Sequence, residues 1–175
     1  MTKSKLRAGA LPRVGFLWFT LSLAAAAAGC FEPSGSEDDL AEARARWNGT
    51  PHGEYSFDFR RSCYCAPAAL VPARLFVVGS GIDRVERIED GTTMTPQEIA
   101  DLAPLTVDEL FTAIERAIDR EFARVNVTYD PISGVPTHVD LDGSLSVADD
   151  EITYTVENVE LPNASNRRSP PREGA

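Results

Sequence analysis

The sequence predicts an α+β domain: an antiparallel β-sheet with one main amphipathic helix packed on a face and a shorter N-terminal helix. Three observations predict it. Val107, Leu110, Phe111, Ile114, Ala117, Ile118 and Phe122 keep the helical period for about four turns. Apolar residues alternate in six short segments, three before that helix and three after it. Within each group the segments are joined by short turns, which antiparallel neighbours allow and parallel ones do not.

In chain order, Ser36 reads as the cap of a first helix whose opening turn, Glu37-Asp38-Asp39, places acidic groups where the helix dipole favours them. Leu40, Ala43, Arg44 and Trp47 form one stripe of it, and Asn48-Gly49-Thr50-Pro51 stops it. Glu54 to Ser62 alternates, with Tyr55, Phe57 and Phe59 on one face and Ser56, Asp58 and Arg60 on the other, a half-buried strand. Ala73, Leu75 and Val77 make a second strand. Gly79-Ser80-Gly81 turns the chain, and Ile82 to Ile88 returns as a charged, partly exposed third.

Thr95-Pro96-Gln97-Glu98 is a capping box that opens a short helical turn, Pro96 to Leu102. Thr106-Val107-Asp108-Glu109 is a second box, opening the main helix. Val125, Val127 and Tyr129 then alternate up to the turn Asp130-Pro131-Ile132-Ser133-Gly134, Thr137 to Leu141 form a strand, and Asp142-Gly143 breaks it. Ile152, Tyr154 and Val156 form the last strand. Val159 and Leu161 are out of phase with it, which predicts a bulge or the strand's end. The domain is bounded at residues 37–161, and residues 162–175, rich in Pro, Ser, Asn and Arg, read as a disordered tail.

The N-terminal segment is of another kind. Lys3, Lys5, Arg7 and Arg13 precede an uncharged run from Val14 to Ala28, the order of a secretory signal. Its end, Ala27-Ala28-Gly29-Cys30, resembles the lipobox of bacterial lipoproteins, which implies a signal peptide over residues 1–29 and lipidation of Cys30. An ordinary cleaved signal or an uncleaved anchor would use similar residues, but a span wants about 20 strongly apolar residues and this run is Ala-rich and barely long enough. Residues 30–36 then form a lipidated tether to the bilayer. Phe31 and Glu32 after the cysteine, with no aspartate beside it, are a pattern that goes with the outer membrane in Gram-negative bacteria.

Charge narrows the partners. The chain carries −10, and removing residues 1–29 takes away four positive charges and no negative one, to give −14. So acidic a surface, with no Lys/Arg cluster in the folded region, repels phosphate backbones, and nucleic acid is not an expected partner.

Of the three cysteines, Cys63 and Cys65 are left to one another in an oxidising compartment. In a flat strand residues two apart lie about 6.6 Å apart, too far for a disulfide, so a Cys63–Cys65 bond requires the chain to bend, and Ala66-Pro67 allows it. The readings are a local staple, a redox pair, two packed thiols, or a soft metal site completed by His52 or His138. Asp140, Asp142, Ser144, Asp149, Asp150 and Glu151 suggest calcium but miss the EF-hand pattern, which leaves a solvated turn. No nucleophile triad, phosphate loop or carboxylate pair has a usable local motif, so no catalytic residue, metal or cofactor is assigned.

Trp47, Tyr55-Ser56-Phe57, Cys63-x-Cys65, Thr106-Val107-Asp108-x-Leu110-Phe111 and Val127-x-Tyr129-Asp130-Pro131-x-x-Gly134-x-Pro136 together resemble a family of short bacterial lipoproteins known only as a domain of unknown function. The likeness spans about residues 40–160, with Val135 where that pattern has an aromatic. It implies an extracytoplasmic address and this architecture, and supplies no catalytic residues. The resulting expectation is a non-enzymatic, membrane-anchored binding or structural module of the cell envelope, acting on an unidentified envelope protein or ligand. The alternative is a thiol redox or metal-handling protein using Cys63 and Cys65.

Overall fold

The structure, a computed structural model, describes residues 36–162 apart from Ala148. The expected signal peptide, Cys30, the tether up to residue 35 and the tail beyond Pro162 lie outside the described residues. Among the described residues no helix is long and apolar enough to cross a membrane.

The chain forms α1 (Glu37–Gly49), β1 (Glu54–Cys63), a 3-10 turn (Pro67–Leu70), β2 (Ala73–Val78), β3 (Gly81–Arg87), α2 (Pro96–Leu102), α3 (Val107–Asp119), β4 (Arg124–Tyr129), β5 (Pro136–Asp142) and β6 (Glu151–Glu160). All six strands join one antiparallel sheet in the order β3-β2-β1-β6-β5-β4, so two meanders meet along β1 and β6. The fold is mostly β with helices added, an α+β arrangement.

The core lies between the helices and one face of this sheet. Tyr55, Phe57 and Phe59 from β1, Leu75 and Val77 from β2, Val127, Val139, Tyr154 and Val156 meet Trp47 of α1, Leu102 of α2 and Val107, Leu110, Phe111 and Ile114 of α3 in one cluster. Burying each of the larger side chains is worth roughly 1.5–3 kcal/mol before the entropy of ordering it. Both expected capping boxes form: Thr95 with Glu98, and Thr106 with Glu109.

Four sequence expectations need correction. The N-terminal helix is not shorter than the main one; α1 and α3 each have 13 residues. The main helix stops at Asp119 rather than running to Phe122. Glu121 takes a left-handed conformation (φ 54°), its N–H reaching Ile118 O and that of Phe122 reaching Ala117 O, a Schellman close in which Glu stands where Gly is usual. Phe122 keeps its apolar phase because the reversal folds it back against the core. β1 is not half-buried: Ser56 and Asp58, on the face away from the helices, are each only 6% exposed. Lastly, Asp140 to Ser144 is not simply a solvated turn, because Asp140 and Asp142 belong to β5 and Asp142 is buried.

The phase break before Val159 is a bulge. Ser56 pairs with Glu160 and Asp58 with Glu157, so β6 spends one extra residue there. Asn158 absorbs it at φ 50°, a conformation asparagine tolerates better than most residues, and Val159 and Leu161 return to the core side.

Candidate functional site

The family-like residues lie far apart in sequence, and the fold gathers most of them. Trp47, fully buried, donates from Nε1 to Asp108 Oδ1 at 3.0 Å, stacks on His52 at 4.1 Å and meets Tyr55 edge-on at 5.2 Å. The Tyr55 hydroxyl accepts from Val107 N–H at 3.3 Å, so β1 supplies a partner to the first helical N–H of α3. Burial pushes the Tyr55 hydroxyl up to about 12, with the Val107 hydrogen bond opposing it. Phe111 stacks on Tyr129 at 6.2 Å, and the Arg44 guanidinium lies over the Phe111 ring.

The turn after Tyr129 completes this junction. Asp130 Oδ1 accepts from the N–H groups of Ile132 and Ser133 and from the Ser133 hydroxyl, and Gly134 N–H bonds Asp130 O at 2.9 Å. Burial raises the Asp130 carboxyl, but these hydrogen bonds outweigh it and hold it below the usual range. Gly134 has φ +80°, and a Cβ there would fall inside the Ala43 carbonyl oxygen of α1. Val135 is fully buried. These motif residues therefore join α1, α3 and the sheet, and that is a packing role.

Cys63 and Cys65 stand elsewhere. Cys63 ends β1 opposite Ile152, and the chain then bends so that the two sulfurs lie at disulfide distance with their Cα atoms 5.3 Å apart. Tyr64, between them, is 80% exposed. Beside this turn is a cleft of about 450 Å³ lined by Ser62, Thr153, Arg124, Asp140 and Glu151. Arg124 is shared among Asp140 at 2.9 Å, Asp142 at 3.3 Å and Glu151 at 4.0 Å. The closest of these, Nε to Asp140 Oδ2, is an ion pair without hydrogen-bond alignment. Three of the carboxylates that suggested calcium, Asp140, Asp142 and Glu151, thus enclose an arginine.

Neither histidine joins the cysteines. His52 precedes β1, at the far end of a ten-residue strand from Cys63, and its Nδ1 lies 2.6 Å from Thr50 O. His138 pairs with Thr155, three residues along β6 from the partner of Cys63, about 10 Å away. Among the described residues no three His, Cys, Asp or Glu side chains are gathered as a ligand set.

Sequence reading missed a polar network on the face of the sheet that carries no helix. Asp58 accepts from Arg74 Nε at 2.7 Å and from Asn158 Nδ2 at 2.7 Å, while Glu160 lies 3.4 Å from Arg74 and accepts from Ser56 at 3.3 Å. Burial pushes the Asp58 carboxyl up, but the hydrogen bonds from Arg74 and Asn158 more than offset it and hold it below the usual carboxylate range. The only local signal was the out-of-phase Val159, which marks the bulge that turns Asn158 toward Asp58. Elsewhere this face carries Arg60, Ser62, Thr128, His138, Thr153 and Thr155, and toward the β2–β3 side Phe76, with the Arg84 guanidinium over its ring, and exposed Val78, none of them covered by a helix.

Fold and sites together define an open-faced α+β domain, helices on one side of a single antiparallel sheet and a polar surface on the other. Residues 39–161, more than half of the chain, match a family of unknown function, DUF6174, and the chain belongs to it. No curated protein matches it.

Proposed function

We propose that this protein is a lipid-anchored lipoprotein of the bacterial cell envelope whose domain works by binding another envelope protein, not by catalysis. The observation that carries the reading is the uncovered polar face of the sheet. Six strands about 4.8 Å apart span about 24 Å, and strands of six to ten residues give a length of about 20–33 Å. That is on the order of 600 Å², close to the roughly 800 Å² per partner of a stable protein complex. It carries two open clefts, the one beside Cys63 and one of about 830 Å³ lined by Ser56, Phe76, Val78, Arg84 and Glu160, and the polar strip between them has the breadth a protein partner uses. Charges on it are paired in place, as Arg60 with Glu157 at 3.6 Å, and the hydroxyls of Ser62, Thr153 and Thr155 stand between them ready to bond a partner. The anchor at Cys30 and the secretory signal supply the address, and the antiparallel sheet carrying an amphipathic α3 supplies the rigid mount.

Site-specific photo-crosslinking in envelope membranes tests this. A crosslinker at Thr155 is expected to give a discrete protein adduct that one at Arg116, on the helical side, does not give. The adduct is expected to vanish when Arg60 is changed to Glu. Identical patterns from the two sites would defeat the reading.

A second reading, thiol exchange at Cys63 and Cys65, is favoured by one observation: the sulfurs are at disulfide distance and Cys65 is exposed. Thiol counting with and without mild reductant decides it. A pair that stays oxidised under mild reductant removes it.

A further inference from the structure

We propose that the domain sits on its own membrane by one particular end of the sheet, with the Cys63-Tyr64-Cys65 turn and the β5–β6 hairpin touching the lipid surface. This rests on the reading that Cys30 carries the anchor. Four observations place the anchor's exit at that end. Arg124, Asp142, Glu151, Ile152 and Cys63 form one row across β4, β5, β6 and β1. Phe122, just past α3, lies 4.0 Å from where a Cβ of Gly143 would be, so α3 ends over that row. α1 runs antiparallel to α3, since Trp47 meets Asp108 and Arg44 meets Glu115. Glu37 and Leu40 line a common groove with Ile118 and Asp119, so the first turn of α1 lies beside the last turn of α3.

Five residues lie between Cys30 and Ser36, and the six steps from one to the other, at about 3.6 Å each, reach no further than about 22 Å. The end of the sheet carrying Ser36 is therefore held next to the bilayer. That same end displays Tyr64 at 80% exposure, Leu145 at 74% and Val147 at 53%. Tyrosine favours the headgroup region, where its ring is buried and its hydroxyl stays wet, and leucine and valine gain by entering the acyl boundary. The Cys63–Cys65 pair gives Tyr64 a fixed outward mount. Against these stand Asp149, Asp150, Glu151 and the acidic first turn of α1, which anionic lipid would repel, so the surface that fits is a neutral one. The β4–β5 turn with Ile132 and the β2–β3 turn then point away from the membrane, and the polar sheet face stands across it.

The test uses the full lipidated protein in phosphatidylcholine vesicles whose acyl chains carry bromine near the headgroup end. Tyr64→Trp and Leu145→Trp report on the proposed contact and Ile132→Trp on the opposite end, with buried Trp47 common to all. Mass spectrometry of each sample reads the acyl group on Cys30. Tryptophan at 64 and 145 is expected to be quenched about twofold more than at 132. Equal quenching at all three positions in protein that carries the acyl mass overturns the orientation and leaves the anchor standing. A mass without the acyl group overturns the anchor and the orientation together.

Discussion

Trp47 Nε1 and Asp108 Oδ1, 61 residues apart in the chain, lie 3.0 Å apart and join the last turn of α1 to the first turn of α3. The carboxylate is well placed at a helix N-terminus, and the indole N–H, inside a fully buried side chain, has its partner there. Trp47→Phe and Asp108→Ala should each cost about 1–3 kcal/mol in urea denaturation, and the double variant less than their sum by about 1 kcal/mol. Strict additivity would show that the pair does not couple the helices.

Gly134 should be the least replaceable glycine among the described residues. It combines φ +80° with backbone of α1 where a side chain would go, whereas Gly91 has φ +71° and open space. Gly91→Ala is expected to cost about 1–2 kcal/mol from conformation alone, and Gly134→Ala at least about 3 kcal/mol because α1 must also shift. Thermal denaturation of the two variants compares them, and equal losses would contradict the close packing of this turn on α1.

Asp58 should make the fold acid-sensitive. Its carboxyl titrates lower in the folded protein than in the unfolded chain, where the ordinary value is about 3.9. A depressed folded value means stability that is fully present above the unfolded value and lost as pH falls through the folded one. Asp58→Asn should therefore flatten the decline of the urea midpoint below about pH 4 while costing about 2 kcal/mol at neutral pH. An unchanged acid limb would mean that the Arg74 and Asn158 bonds do not hold the carboxylate.

Local signals in the sequence were enough for the elements, and tertiary ones were not. The capping boxes at Thr95 and Thr106, the alternation of Tyr55, Phe57 and Phe59, and the phase break at Val159 each depend on residues within a few positions, so they could be read directly. The strand order could not, because nothing local says that β1 pairs with β6. Without that pairing Asp58 looked solvent-facing, whereas Asn158 and Arg74, from the strands on either side, enclose it. The end of α3 was misjudged for a related reason: the apolar period continues through Phe122 although the backbone has already reversed at Glu121. For the site, the bend at Cys63–Cys65 was legible because disulfide geometry demands it. The Trp47–Asp108 bond and the seat of Gly134 on α1 required the fold.

The proposal that matters most is that Cys30 carries the lipid that puts this domain outside the cytoplasm. Metabolic labelling with a radioactive fatty acid, in cells expressing the natural chain or Cys30→Ser, tests it directly. Label on the natural chain, and none on a Cys30→Ser chain that retains residues 1–29, is the predicted result; equal label on both would contradict it.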